Sequence, residues 1–220
     1  VELEPKNFAV GVRIEHLQSE INNVQYHGHY ENLGAADYKL VAHVGNRSLY
    51  TFCMCPGGYV VNASSEEGAL VTNGMSNNKR DSLNANSALL VNVNVEDYYT
   101  GDVLDGVKFL KKYENLAYNK YGSFIAPVQL VGDFLKGKSS TKLGKVIPSI
   151  KPKYQLGTIE DILPDFVVDT LKEGLLILDK KLYGFASDDA VMTAIETRSS
   201  APIKIKRTID LSTSIPNVYA

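Results

Sequence analysis

The first half of the chain alternates apolar and polar residues over short stretches, a pattern typical of β-strands. Residues 8–15 alternate in this way, and residues 17–26 follow with the spacing of a short amphipathic helix. Further strands are predicted at runs rich in Val, Tyr, Thr and Leu and bounded by Gly, Pro, Asn or Ser clusters, at residues 38–44, 49–54, 59–63, 69–73 and 88–95. Residues 49–73 predict a β-meander, in which Pro56-Gly57-Gly58 is a turn between two strands.

Helical spacing of apolar residues comes later in the chain. It predicts a helix over residues 102–119 and a second helix through residues 131–135, with Pro127 in its first turn. A third helix, predicted to be the longest, has apolar residues spaced from Leu163 to Leu178, and it bends or restarts at Pro164.

Residues 137–157 are rich in Lys, Ser and Pro, and they predict an exposed connection rather than a domain boundary. Strands return at residues 191–197 and 202–207, where the alternation of Ile and Lys predicts one buried face and one solvated face. Because strands bracket the helices, we expect an α+β fold with a mostly antiparallel or mixed sheet and helices packed on one side. We expect residues 1–220 to form a single domain.

Composition and charge exclude several classes of function. The 23 basic and 25 acidic side chains give a net charge of -2, which provides no basic surface for nucleic acid and no polybasic membrane anchor. No apolar run is long enough to span a bilayer, and residues 1–4 do not resemble a signal peptide. Two cysteines cannot form a disulfide framework, which favours a reducing compartment. We therefore expect a cytoplasmic protein that binds neither nucleic acid nor membrane.

The only two cysteines, Cys53 and Cys55, stand one residue apart at the end of an apolar run. In an extended strand both side chains point to the same face, so the two thiols are predicted to be neighbours. Burial as small apolar residues is the ordinary interpretation of such a pair. A redox, metal-binding or catalytic role is the alternative.

Other candidate chemistry lies in polar turns. The chain has no Gly-rich phosphate-binding fingerprint, and residues 27–29, which hold two His, lack the further ligands of a metal site, so we predict no metal. Residues 72–81 and 84–87 concentrate amide and hydroxyl groups, which either line a ligand cleft or simply make turns. Arg198 offers a forked cation to an anionic ligand, or it pairs with a carboxylate such as Glu196.

Several segments of the chain occur in an order that resembles one family. The most specific are Phe52-Cys53-Met54-Cys55-Pro56-Gly57-Gly58 and the Asn-Gly-Met-Ser turn that begins at Asn73. Supporting segments lie at residues 35–40, 63–68, 85–89, 131–135 and 196–202. Over nearly its whole length the chain resembles a family of largely uncharacterised bacterial FAD-dependent dehydrogenases. In such proteins a Gly-rich nucleotide-binding fold precedes this region and a second Gly-rich flavin-binding segment follows it, and this chain has neither.

The resemblance implies that the chain is the middle, substrate-side insert of a larger flavoprotein. The chain begins without Met and ends in an apolar segment, so we expect both ends to be cut. The parent protein is expected to bind FAD and to transfer hydride or electrons through it, whereas this chain alone is expected to bind no cofactor and to be inactive. The expected partners are a small-molecule substrate and the FAD-binding domain of the same parent chain.

Five residues are the candidates for contact with flavin or substrate. Cys53 and Cys55 are expected beside the reactive ring, Asn73 and Arg80 as polar contacts, and Arg198 as an anion anchor. The resemblance assigns no catalytic acid or base.

Two alternatives belong to other classes of function. One is a stand-alone domain that binds a small ligand or a protein and has no redox role. The other is a thiol redox or metal protein built on Cys53 and Cys55.

Overall fold

A computed structural model describes residues 1–29 and 31–220, and this part of the chain contains ten strands and four helices. The strands are β1 (Leu3–Pro5), β2 (Phe8–Leu17), β3 (Val41–Val44), β4 (Arg47–Asn62), β5 (Thr72–Ser76), β6 (Asn84–Val93), β7 (Ile125–Leu130), β8 (Lys153–Leu156), β9 (Val191–Glu196) and β10 (Ile203–Ile205). The helices are α1 (Gln18–Gln25), α2 (Asp105–Tyr121), α3 (Val131–Leu135) and α4 (Asp165–Asp179).

Eight of these strands form one mixed sheet with β2 near its centre. Seven lie in the order β3-β4-β6-β2-β9-β7-β8, and β5 pairs with β4 outside this path. Only β7 and β8 pair in parallel, and the other pairs are antiparallel. β1 and β10 form a separate antiparallel ribbon. The predicted α+β fold with a mostly antiparallel or mixed sheet is confirmed.

The two faces of β2 have different chemistry because side chains alternate along a strand. Val10, Val12 and Ile14 point to one face and belong to an apolar core that includes residues of all four helices. Arg13 and Glu15 point to the opposite face, yet both are fully buried. The helices therefore pack on one side of the sheet, as predicted, and a different part of the chain covers the other side.

A bend in β4 provides that cover. Two residues of β4 lie opposite one residue of β6 between Phe52 and Cys55, and again between Cys55 and Gly58, so the strand contains two successive bulges. Cys53 and Gly57 have positive φ angles of 41° and 47°. Bulges bend a strand and increase its twist. After this bend β4 pairs with β5, which contacts β2, β6 and β9 across the opposite face.

The predicted turn at Pro56-Gly57-Gly58 is therefore wrong, because one continuous strand runs through it. Gly57 is needed for close backbone contact rather than for chain reversal. A Cβ atom at Gly57 would lie 1.9 Å from the carbonyl oxygen of Arg80. The positive φ of Gly57 is also one that residues with a side chain rarely adopt.

Two helix predictions also differ from the structure. Pro127 lies in β7 rather than in a helix, and α3 begins only at Val131. The longest helix is α2, with 17 residues, whereas α4 has 15. The predicted third helix is shorter because Pro164 is extended, and it separates α4 from a 3-10 turn at Glu160–Ile162.

Residues 137–157, the predicted exposed connection, are mostly exposed, but part of the segment packs against the sheet. Val146 and Ile150 are buried in small apolar clusters on the opposite face of the sheet, and β8 pairs with β7. At β10 the predicted buried face is absent, since Ile203 is only half-buried and Ile205 is exposed. The reason is that β10 pairs with β1 alone and no core covers this ribbon.

Helix α4 offers a direct test of the helix-covered core. Leu175 is fully buried, whereas its neighbour Leu176 is 54% exposed. We expect Leu175→Ala to lower the free energy of unfolding by about 2–5 kcal/mol, because it leaves a cavity in the core. Leu176→Ala should change it by less than about 0.5 kcal/mol. Urea unfolding followed by circular dichroism measures both, and equal losses would contradict the packing described here.

Candidate functional site

Arg13 lies at the centre of the opposite face of the sheet, with no exposed surface. A guanidinium group stays charged in a protein and carries five N–H donors. Its Nε and Nη2 donate to the two carboxylate oxygens of Glu196, at 2.6 and 3.2 Å. Nη2 also donates to Oδ1 of Asn73 at 2.9 Å, and Nη1 donates to the carbonyl oxygen of Cys53 at 2.8 Å and to Oδ1 of Asn86 at 3.2 Å. All five donors are therefore used.

Arg13 and the residues around its guanidinium group come from five different strands. We call them the Arg13 cluster, which comprises Arg13, Cys53, Cys55, Asn73, Asn86 and Glu196. Burial raises the pKa of Glu196, and the charge of Arg13 opposes that shift. One buried ion pair thus joins β2 to β9, while the other donors of its guanidinium attach β4, β5 and β6 to the same point.

The backbone of β5 lies directly against this cluster. A Cβ atom at Gly74 would stand 2.3 Å from Oδ1 of Asn86 and 2.6 Å from Nη1 of Arg13. Oδ1 of Asn73 also accepts a hydrogen bond from the backbone N–H of Gly74 at 2.8 Å. Asn73 and Gly74 are therefore required for the contact between β5 and the cluster. Their role is not simply to form a turn.

The two cysteines do not share a face, so that prediction is wrong. Cys53 is exposed and Cys55 is buried, because the bulge between them breaks the alternation of the strand. The thiol of Cys55 donates to the carbonyl oxygen of Cys53, and its Sγ lies 3.9 Å from Nη1 of Arg13. Burial raises the pKa of the Cys55 thiol. Only Cys53 presents a thiol to a ligand or a partner domain.

Around the bend, side chains of four types reach the surface: apolar groups, a thiol, an amide and a guanidinium group. We call this set the bend surface, and it comprises Phe52, Cys53, Asn73, Met75 and Arg80. Phe52 and Met75 are large apolar side chains that are 43% and 55% exposed. The amide nitrogen of Asn73 has no acceptor within the described residues, so it is available as a donor. Arg80 is exposed on the turn that packs against Gly57, and in the described part of the chain it forms no ion pair.

Arg198 lies outside the Arg13 cluster. Its Nε and Nη2 each donate at 2.7 Å to the carboxylate of Glu114, which is fully buried on α2. Nη2 also donates to Glu66 at 3.2 Å, and Thr197 donates to Glu114 at 2.6 Å. The carboxylate partners are thus Glu114 and Glu66 rather than Glu196. Two carboxylates already compensate this cation, which leaves it little attraction for an anionic ligand.

The sequence interpretation missed the residue that organises the site. Arg13 and Glu15 lie within β2, whose only other polar side chain is that of His16. A charged pair of this kind within a fully buried strand was the available signal, because a buried charge requires partners. Its partner Glu196 is 183 residues away in the chain, and sequence spacing gives no indication of that pairing.

Neither a metal site nor a membrane span is found in the part of the chain that the structure describes. No group of three or more His, Cys, Asp or Glu side chains there is arranged to hold a metal ion. None of the helices at residues 1–29 and 31–220 has the length and apolarity to cross a bilayer.

The Arg13 cluster should be sensitive to loss of its carboxylate. We expect Glu196→Gln to lower the free energy of unfolding by about 3–5 kcal/mol, because it leaves a buried guanidinium without a compensating charge. Glu4→Gln is the matched control, since Glu4 pairs with Lys204 at the surface, and it should have no measurable effect. Urea unfolding measures both variants.

A double variant separates loss of charge balance from loss of packing. Arg13→Met combined with Glu196→Met removes both charges and should be more stable than Glu196→Gln alone. If the double variant were less stable than Glu196→Gln, the uncompensated charge would not be the cause of the loss.

The exposure of the two thiols predicts selective labelling. Iodoacetamide should modify Cys53 in the folded protein, while Cys55 reacts at least about a hundredfold more slowly because it must wait for local opening. Peptide mass spectrometry over a time course measures the two rates, and labelling in urea is the control that both thiols react. Equal rates in the folded protein would show that the bend does not separate them.

Comparison with known proteins identifies the family of the chain. Residues 7–199 match the family described as FAD-dependent protein, C-terminal domain-like. A protein of Clostridium beijerinckii described as uncharacterized is 50% identical to this chain over 216 residues, which cover 96% of the chain. The chain spans 40% of the length of that relative. The match over most of its length shows that the chain belongs to the FAD-dependent protein, C-terminal domain-like family.

Proposed function

We propose that this chain is the substrate-side domain of an FAD-dependent oxidoreductase of the dehydrogenase type. The whole protein transfers hydride or electrons through FAD, and this domain covers the flavin ring and contacts a small-molecule substrate. The bend surface is the part of the domain that faces the ring. A reducing cytoplasmic compartment suits its two free cysteines.

The pairing of β1 with β10 is the observation that carries this proposal. These strands lie on either side of the family match at residues 7–199. Leu3 pairs with Ile205, and the N–H of Lys6 donates to the carbonyl oxygen of Pro202 at 3.0 Å. The chain therefore enters and leaves the matched domain side by side, which is the geometry that an inserted domain needs. This geometry supports attachment by two strands to an FAD-binding domain of the same parent chain.

The described residues do not fit the dinucleotide half of FAD. α1 and α3 follow strands directly, but residues 15–17 and 128–130 before them contain no glycine to admit a pyrophosphate. The bend surface fits a different part of the cofactor, since it offers a thiol, an amide donor and a cation between exposed apolar side chains. When bound by the parent, FAD supplies a two-electron acceptor.

Each residue of the bend surface has a distinct role in the proposal. Asn73 donates a hydrogen bond through its free amide nitrogen, and Arg80 places a positive charge near the ring or substrate. Phe52 and Met75 exclude water from this region. Cys53 lies beside the ring, whereas Cys55 packs beneath the surface.

Arg13 acts as a positioning residue. Its hydrogen bonds fix the carbonyl group of Cys53 and the side chain of Asn73, and none of its donors is left for a ligand. In this proposal the buried cluster keeps the bend surface rigid, which lowers the cost of ordering it against flavin and substrate.

The full-length parent protein provides the test. We expect it to purify with bound flavin, and we expect Arg80→Ala to weaken the binding of sulfite to that flavin about tenfold, because a nearby positive charge is lost. Asn73→Ala and Cys53→Ala should shift the visible absorption of the flavin. Lys39→Ala, which removes an exposed lysine, is the control and should leave sulfite affinity unchanged. A parent without flavin, or wild-type behaviour in all three site variants, would overturn the proposal.

A further inference from the structure

A cavity of about 830 Å³ lies beyond the bend of β4. We call it the β4–β6 cavity. Its walls are the second half of β4 from Gly58, the start of β6, and residues 145–151. This volume is within the range of sites that bind small molecules. The cavity contains none of the five residues of the bend surface.

The mouth of the β4–β6 cavity is apolar. Leu83 and Ile147 line it, and they are 82% and 56% exposed. Leu17 and the buried Val60 add apolar surface deeper inside. Large apolar side chains exposed around a cavity are typical of sites that take an apolar ligand.

The charges of the lining favour an anion. Lys145, Lys151 and Asp81 are the charged residues that line the cavity, so cations exceed anions. Neither lysine forms an ion pair within residues 1–29 and 31–220. Lys151 pairs as an isolated bridge with Val61, so its backbone lies against the β4 wall of the cavity.

We propose that the β4–β6 cavity binds an amphipathic carboxylate, with an aliphatic or aromatic body. The body lies against Leu83 and Ile147. The carboxylate lies near Lys151. This binding site is independent of flavin, so its test does not depend on the redox proposal.

Titration calorimetry of this chain with octanoate tests the inference. We expect saturable binding of octanoate and at least about fivefold weaker binding of octanol, which has the same apolar body without the charge. Lys151→Met should weaken octanoate about threefold, and Lys142→Met, which removes an exposed lysine outside the cavity, should not.

A second pair of variants tests the apolar wall. Leu83→Glu should abolish measurable binding, whereas Leu176→Glu, at an exposed leucine on α4, should leave it intact. Circular dichroism confirms that each variant is folded. Absence of octanoate binding to the wild-type chain would overturn the inference. Equal affinity for octanol, or equal effects of the Lys151 and Lys142 variants, would also overturn it.

Discussion

The buried ion pair between Arg13 and Glu196 is the constraint on which the rest of this structure depends. A guanidinium group at the centre of a sheet must have every donor satisfied, since an unpaired charge there would be very costly. Five acceptors meet that requirement, and they come from β4, β5, β6 and β9. Such pairs contribute little net stability compared with apolar residues. We interpret the pair as a source of structural specificity, because its hydrogen bonds determine where the bent strand β4 lies.

The bend in β4 then gives two surfaces with different chemistry. Phe52 and Cys53 of β4, together with Asn73, Met75 and Arg80, form the bend surface. After the bend, the residues from Gly58 to Asn62 form one wall of the β4–β6 cavity. A straight strand would provide neither surface, because β4 and β5 would continue the sheet instead of covering Arg13. Both proposed sites therefore depend on the two bulges of β4.

The sequence predicted those features that depend on local pattern. The α+β class, strand β2, helix α1 and the helix-covered face all follow from the spacing of apolar residues. Predictions from the sequence pattern were wrong where contacts between residues far apart in the chain determine the structure. Pro56 and Gly57 are turn residues by composition, but contact between Gly57 and the backbone of Arg80 makes them part of one strand.

At the candidate site, too, contacts between residues far apart in the chain could not be predicted from the sequence. Cys53 and Asn73 lie in segments that resemble a family, and Arg80 was chosen from a polar stretch of the chain. In the structure Cys53 and Asn73 meet at Arg13, whereas Arg80 contacts the bend through its backbone at Gly57. Arg13 and Asn86 act from within the protein, and their importance depends on partners that only the fold brings together. Arg198 was selected for its charge, which Glu114 and Glu66 already compensate.

A crystal structure of the full-length parent protein with FAD would show which surface of this domain faces the flavin. We expect the flavin ring to contact the bend surface at Cys53 and Asn73, with the five hydrogen bonds of Arg13 retained beneath it. A flavin ring bound away from the bend surface, with Cys53 and Asn73 open to solvent, would overturn the proposed role of this surface.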